Sequence, residues 1–261
     1  MKQFIKQIFF ITLEFFLVNK LFRYLNRGKI KVLLYHNIVS SEQKTLFSNA
    51  ITENIFRKQI TYLQKNYNFI SLSQQGKWHH ISKVKVNVLL TFDDGFINNY
   101  EIVLPILQEF GIQASFFLIT KCLEESNVPS FIQNPESHQE FRTININQAK
   151  YMLKQGMNIG SHSLYHNDNS KLSVKDSVQN AEQSKQSLEK MLETPVECFA
   201  FPWGFYREEQ IEPIKKTFSR IFTVKHGFNF KEDQILNRNE VDGLYHLYAT
   251  ASGALDYFKK Q

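Results

Sequence analysis

Two adjacent carboxylates, Asp93 and Asp94, follow the apolar run Val88 to Phe92 in the segment Thr91-Phe92-Asp93-Asp94-Gly95. Side-by-side carboxylates are costly to bury unless a cation neutralises one of them, which leaves the other as a base. Asp-Asp-Gly is also an ordinary turn sequence, so the pair needs company before it means catalysis. That company comes at His162-Ser163-Leu164-Tyr165-His166, just after a second apolar stretch, Met157 to Gly160. Imidazoles four residues apart can converge on one ion when the chain coils by one turn. With an aspartate from another strand end they form a His-His-carboxylate set that leaves positions open for water and substrate. A third segment, Phe199-Ala200-Phe201-Pro202-Trp203-Gly204, ends an apolar run in a Pro-aromatic-Gly turn. Pro202, Trp203 and Gly204 would offer backbone N–H groups and an aromatic wall to a sugar. The plain alternative is a strand-ending turn around a core tryptophan.

Elements that could hold these segments recur along the chain. Val32 to Tyr35 reads as a buried strand, and Ile55, Phe56, Ile60 and Leu63 mark a helical face after Thr52, a plausible N-cap. Strand-like runs return at Val88 to Phe92, Ala114 to Ile119, Met157 to Gly160, Cys198 to Phe201 and Ile221 to Val224. Helical patterns separate them: Tyr100 to Phe110, stopped by Gly111, then Asn147 to Leu153. A further helix opens on the Ser173/Asp176 capping box and carries Val174, Val178, Ala181 and Leu188 on one face. Repeated strand-helix units with apolar strands predict an α/β protein with a mainly parallel sheet or barrel, whose chemistry gathers at the C-terminal strand ends. The polar stretch Lys121 to Arg142, with Pro129 and Pro135, reads as an insertion on that face.

Composition narrows the class without naming a partner. The 261 residues are 43% hydrophobic, enough for one sizeable core, and the net charge of +6 is scattered rather than gathered into a nucleic-acid stripe, so no nucleic-acid partner is expected. Cys122 and Cys198 are too few for a disulfide framework or a cysteine-based zinc site. The first 28 residues are read as an amphipathic helical segment, and 29–261 as the catalytic domain. Residues 1–27 are apolar and aromatic with flanking lysines. They suit a helix lying on a membrane surface, or one packed on the domain, rather than a span or a cleaved leader. A cytoplasmic or peripheral membrane location is preferred over secretion.

Taken in order, the three segments resemble the motifs of the polysaccharide deacetylases with NodB homology, also called carbohydrate esterase family four. The resemblance runs from about Lys31 to about Asp242. It includes Leu33-Leu34-Tyr35-His36, Ser184-Lys185 to Leu188-Glu189, and Leu236-Asn237-Arg238, as in members that serve exopolysaccharide synthesis. It implies a distorted (β/α) barrel with fewer than eight strands, and a divalent metal such as zinc held by Asp94, His162 and His166. It also implies that Asp93 is the base. Two departures stand out. The Arg that opens the third motif in many members is replaced by Cys198-Phe199-Ala200, for which Arg238 is the candidate substitute. The family's late Leu-x-x-His acid has no clean counterpart, so His246 in Leu244-Tyr245-His246 and His36 are both candidates. No role is assigned to His79, His80, His138 or His226.

The reaction so implied is metal-assisted hydrolysis of the N-acetyl groups of an oligo- or polysaccharide. Two rival readings remain open at the sequence level. One is an O-acetyl esterase or small-amide deacetylase, and the other a noncatalytic carbohydrate-binding protein on the same fold.

Overall fold

The computed structural model describes residues 18–41, 50–125, 128–133 and 141–258. Residues 1–17 of the expected N-terminal segment and parts of the insertion, including His138, lie outside them. The strands of the main sheet are β1 (Ile30–Tyr35), β2 (Asn68–Phe69), β3 (Asn87–Phe92), β4 (Ser115–Leu118) and β5 (Asn158–Ser161). They continue as β6 (Cys198–Ala200), β7 (Arg220–Phe222), β8 (Ile235–Leu236) and β9 (Arg238–Glu240). Their order is β8-β7-β6-β5-β4-β3-β1-β9, with β2 beside β3, and every pairing is parallel. Only Asn237 separates β8 from β9, so the two ends of the sheet are one broken strand. The result is a nearly closed barrel with fewer than eight staves, as the resemblance implied.

Side-chain alternation divides the core in two. Ile30, Val32, Leu89, Phe117, Ala200, Phe222 and Leu236 form a cluster drawn from staves all round the ring, which places it inside the barrel. Their sequence neighbours Leu33, Leu90, Phe116, Phe199 and Ile221 belong to a second cluster, packed beneath the helices. Those helices are α1 (Val18–Leu25), α2 (Glu53–Asn66), α3 (Leu104–Glu109), α4 (Thr120–Glu125), α5 (Ile146–Lys154), α6 (Val174–Leu192), α7 (Glu208–Lys215), α8 (Leu244–Ser252) and α9 (Ala254–Phe258).

Local chemistry explains several departures from the expected boundaries. The helix expected over 100–110 starts as a π turn, Asn99–Val103, before α3. Pro105 lacks an N–H and its ring crowds the preceding turn, which widens to accommodate it. Thr52 sits at the N-cap of α2 but makes no side-chain cap bond. Ser173 does cap α6, accepting from the Asp176 N–H at 3.1 Å. The buried face of α6 is not purely apolar: Ser177 and Ser184 join Ala181 and Leu188. Ser184 is tolerated there because its hydroxyl lies 2.5 Å from Ser161 Oγ and 2.7 Å from Thr120 Oγ1, which ties the helix to the end of β5 and the start of α4.

The described part of the N-terminal segment, α1, packs against the C-terminal helices. Asn19 is buried and accepts from Ser252 Oγ at 2.8 Å, while Asn26 Nδ2 donates to the Ser252 carbonyl at 3.1 Å. Val18 and Phe22 rest on Ala249 and Ala254. The opposite stripe, Leu21, Tyr24 and Leu25, is exposed. No helix of the described residues is long and apolar enough to cross a membrane.

Candidate active site

The barrel mouth gathers the three chemistry-bearing segments. Asp93 and Asp94 follow β3, His162 follows β5, and the Pro202–Gly204 turn follows β6. This turn region is unusual in its backbone. Asp94, Ser163, His166 and Trp203 all take positive φ, at 69°, 66°, 61° and 58°. Left-handed backbone costs an ordinary residue roughly 1 kcal/mol or more, and its clustering at one end of the barrel marks a place where geometry is held against local preference. Gly204 shares this conformation, and a Cβ there would lie 2.2 Å from Val224 Cγ2, so the turn closes only on glycine.

Asp94, His162 and His166 are buried, and one ligand atom from each lies within 4.8 Å of the others. His166 Nε2 is 3.2 Å from Asp94 Oδ1, yet neither atom has a hydrogen-bond partner. His162 Nδ1 lies 2.9 Å from the Ala200 carbonyl, which can only accept, so this nitrogen carries the proton. Its Nε2 is then a lone-pair donor, 3.5 Å from Asp94 Oδ1. Two imidazole nitrogens and a carboxylate oxygen buried this close together, with Asp94 Oδ1 and His166 Nε2 otherwise unsatisfied, fit a divalent cation. Burial pushes the His162 imidazole down to about 4, so it is neutral and able to ligate at ordinary pH. Burial alone would push the Asp94 carboxyl up. The imidazoles of His166, His36 and His162 outweigh it and hold Asp94 well below the usual carboxylate range.

Asp93 points the other way. Its Oδ1 accepts from Arg238 Nη1 at 2.6 Å, and Arg238 Nε donates to the Thr223 carbonyl at 3.0 Å. The guanidinium is fully enclosed, near the rings of Phe117 and Phe222. Burial opposes ionisation of Asp93, but Arg238, His162 and His36 overcome it and keep the carboxyl below its ordinary value. Asp93 is therefore ionised without being a member of the ligand triad.

The cavity over these groups measures about 360 Å³ and is lined by His36, Trp203, Phe131, His226, Val224 and Glu240 besides the buried residues. Phe131 and Trp203 flank His166, with ring centroids 4.6 and 4.7 Å away. Both acid candidates can now be placed. His36 lines the cavity, its Nδ1 3.9 Å from Glu240 Oε1. His246 lies on α8 with Nδ1 2.8 Å from Asp242 Oδ1 and is not among the lining residues. His226, Phe131 and Glu240 had no sequence signal of their own. Glu240, two residues beyond Arg238 on β9, was the most accessible to reasoning from strand parity.

The fold and site define a barrel protein with a buried Asp94/His162/His166 group that could hold a cation, and an adjoining carboxylate, Asp93, at the C-terminal ends of its staves. The polysaccharide deacetylase family profile matches residues 81–218, and the chain belongs to that family. YxkH of Bacillus subtilis, assigned to the polysaccharide deacetylases, is 26% identical over 193 residues, covering 73% of this chain and 62% of YxkH. The poly-beta-1,6-N-acetyl-D-glucosamine N-deacetylase of Staphylococcus aureus is 24% identical over 211 residues, covering 75% of this chain and 66% of the relative. The matches thus span just under two thirds of these relatives. In fold, the chain is similar to the Streptococcus pyogenes deacetylase PplD in complex with acetate, with a TM-score of 0.69 and 23% identity over 85% of this chain and 98% of that one.

Proposed function

We propose that this protein hydrolyses the N-acetyl groups of an N-acetylated polysaccharide, with a poly-N-acetylglucosamine as the favoured substrate and zinc as the favoured ion. The observation that carries the reading is the pairing of a buried Asp94/His162/His166 triad, in which Asp94 Oδ1 and His166 Nε2 are unsatisfied, with an ionised Asp93 held by Arg238. Likeness to the poly-N-acetylglucosamine deacetylase supports the substrate class. Asp94, His162 and His166 would hold a divalent ion, which would supply Lewis-acid charge to the acetamide carbonyl and lower the pKa of a neighbouring water.

The chain's own groups do the rest. Asp93 accepts the proton of the attacking water, and Arg238 fixes the carboxylate in the orientation needed to do so. Trp203 carries the N–H assigned to the developing oxyanion, since those of Gly204 and Phe205 donate to the Phe201 and Pro202 carbonyls. Trp203 and Phe131 wall the cavity and limit water around the reacting amide. His36, which also lines the cavity, donates the proton that lets the amine leave. Acetate and a free amino sugar result.

Peripheral membrane association belongs to the same proposal. It is supported by the exposed Leu21, Tyr24 and Leu25 on α1, with Lys20 and Arg27 exposed alongside.

Elemental analysis together with acetate release from β-1,6-linked N-acetylglucosamine oligomers tests the chemistry. Asp93→Asn should keep about one metal per chain and lose turnover by roughly 10²–10⁴-fold, the usual worth of a positioned base. Asp94→Asn should lose metal and regain part of its activity in excess metal. Equal metal content in wild type, Asp94→Asn and His166→Ala would refute the ligand assignment. Acetate released only from O-acetylated sugars would make the protein an esterase.

A further inference from the structure

Ser163 lies between the two histidines of the triad, and its positive φ of 66° is a conformation that needs outside support. Both of its main-chain groups are held by buried hydroxyls. The Ser163 N–H donates to Ser161 Oγ at 3.1 Å, and the Ser163 carbonyl accepts from Thr120 Oγ1 at 3.2 Å. Ser184 of α6 stands between those two hydroxyls, 2.5 Å from Ser161 Oγ and 2.7 Å from Thr120 Oγ1. All four residues are buried. A hydroxyl carries one proton, which settles the direction of every bond. Thr120 gives its proton to the carbonyl, which can only accept, so its oxygen receives the proton of Ser184. Ser184 in turn receives from Ser161, and Ser161 from the Ser163 N–H. The bonds therefore run in one sense from the N–H of Ser163 round to its own carbonyl, each hydroxyl donating once and accepting once.

What the circuit holds leads directly to the ligands. His162 precedes Ser163 in the chain, and the His166 N–H donates to Ser163 Oγ at 2.9 Å. Helix α6 reaches the same loop a second time, where Asn180 Oδ1 accepts from the Leu164 N–H at 3.0 Å. Linked hydrogen bonds strengthen one another, and opening one link strands buried donors and acceptors elsewhere in the circuit. Loss of the Ser184 hydroxyl would leave the Ser161 proton without an acceptor and Thr120 Oγ1 without a donor. We infer that Ser184 is a positioning residue for the cation site, a role that rests on the ligand set of the deacetylase reading. Through the hydroxyl circuit it fixes Ser163, and with it the spacing of His162 and His166, so the docking of α6 sets how tightly the ion is held.

Competition between the full-length protein and a chelator for zinc tests this, with the visible absorption of the cobalt(II) form as a second readout of ligand geometry. Ser184→Ala should weaken zinc binding about tenfold, as loss of an outer partner of a metal ligand does, and should shift the cobalt bands. Thr120→Val opens the same circuit at another link. It should reproduce the loss, and the double variant should lose little more than either single one. Ser177→Ala serves as the control, because Ser177 is buried on the same helix but its hydroxyl has no hydrogen-bond partner among the described residues. That change should leave zinc affinity and the cobalt spectrum as in wild type. Circular dichroism checks folding, and if Ser184→Ala fails to fold, Thr120→Val decides. Zinc affinities in the circuit variants equal to that of Ser177→Ala, or losses that simply add in the double variant, would overturn the role of Ser184 while leaving the ligand set intact. Wild-type protein that bound no zinc would refute the ligand set, and this role with it.

Discussion

Arg238→Gln isolates what the guanidinium does for the base. The side chain is nearly isosteric at its inner half but carries no charge, and it leaves Asp93 Oδ1 without the donor that now sits 2.6 Å away. Burial then acts on Asp93 without the Arg238 charge that now opposes it. A cation at such range is worth roughly one to three pH units to a carboxylate, so the acid limb of the kcat/KM profile should move up by about that much. Stability should change as well, since stripping one partner from a buried ion pair costs about 3–5 kcal/mol. The sign follows from linkage. The folded-state value of Asp93 lies below its unfolded value, so its stabilisation is full above the unfolded value and fades as pH falls through the folded one. The stability gap between wild type and variant should therefore be widest near neutrality and narrow in acid. Arg238→Lys keeps the charge but cannot span both the Thr223 carbonyl and Asp93, so it should preserve the limb while lowering the rate. Initial rates across pH with metal content monitored, and urea melts at two pH values, measure both. An acid limb in Arg238→Gln that coincides with wild type, with full metal, would refute the assigned role.

His36→Gln should lower kcat by roughly 10²-fold or more while leaving metal content intact, whereas His246→Gln should change kcat little, as read by acetate release. The reverse ranking would return the acid role to α8. Removing residues 1–27 should abolish flotation with anionic vesicles, the aromatic and basic segment being the assigned contact. Equal flotation of the truncated protein would exclude that segment as the contact.

The sequence made the strand ends legible because apolar runs in a parallel sheet are unbroken and their charged successors stand out, as Asp93 does after Phe92 and His162 after Ser161. Arg238 came into view through the family resemblance, as the candidate for the arginine that the third motif lacks. What it could not reveal were contacts set by chain crossings. Phe131 reaches His166 from an insertion without periodicity, and His226 joins the cavity lining because the chain after β7 is threaded past α1. The buried serines of α6 were hidden for another reason. Periodicity scores apolarity, and the Ser184 hydroxyl, satisfied by Ser161 and Thr120, buries as readily as a methyl.

The broken stave β8/β9 has a consequence for how the protein comes to be active. Asp93 stands on an early stave and Arg238 on the one that shuts the ring, 145 residues later. Contacts so distant in sequence form late, after intervening units have docked. On a ribosome, the triad can assemble once His166 has emerged and Ala200 has followed to orient His162, whereas the oriented base must wait for the barrel to close. Turnover is thereby a report on completed folding: a chain stalled or nicked before β9 would retain ligands for an ion and still be a poor hydrolase.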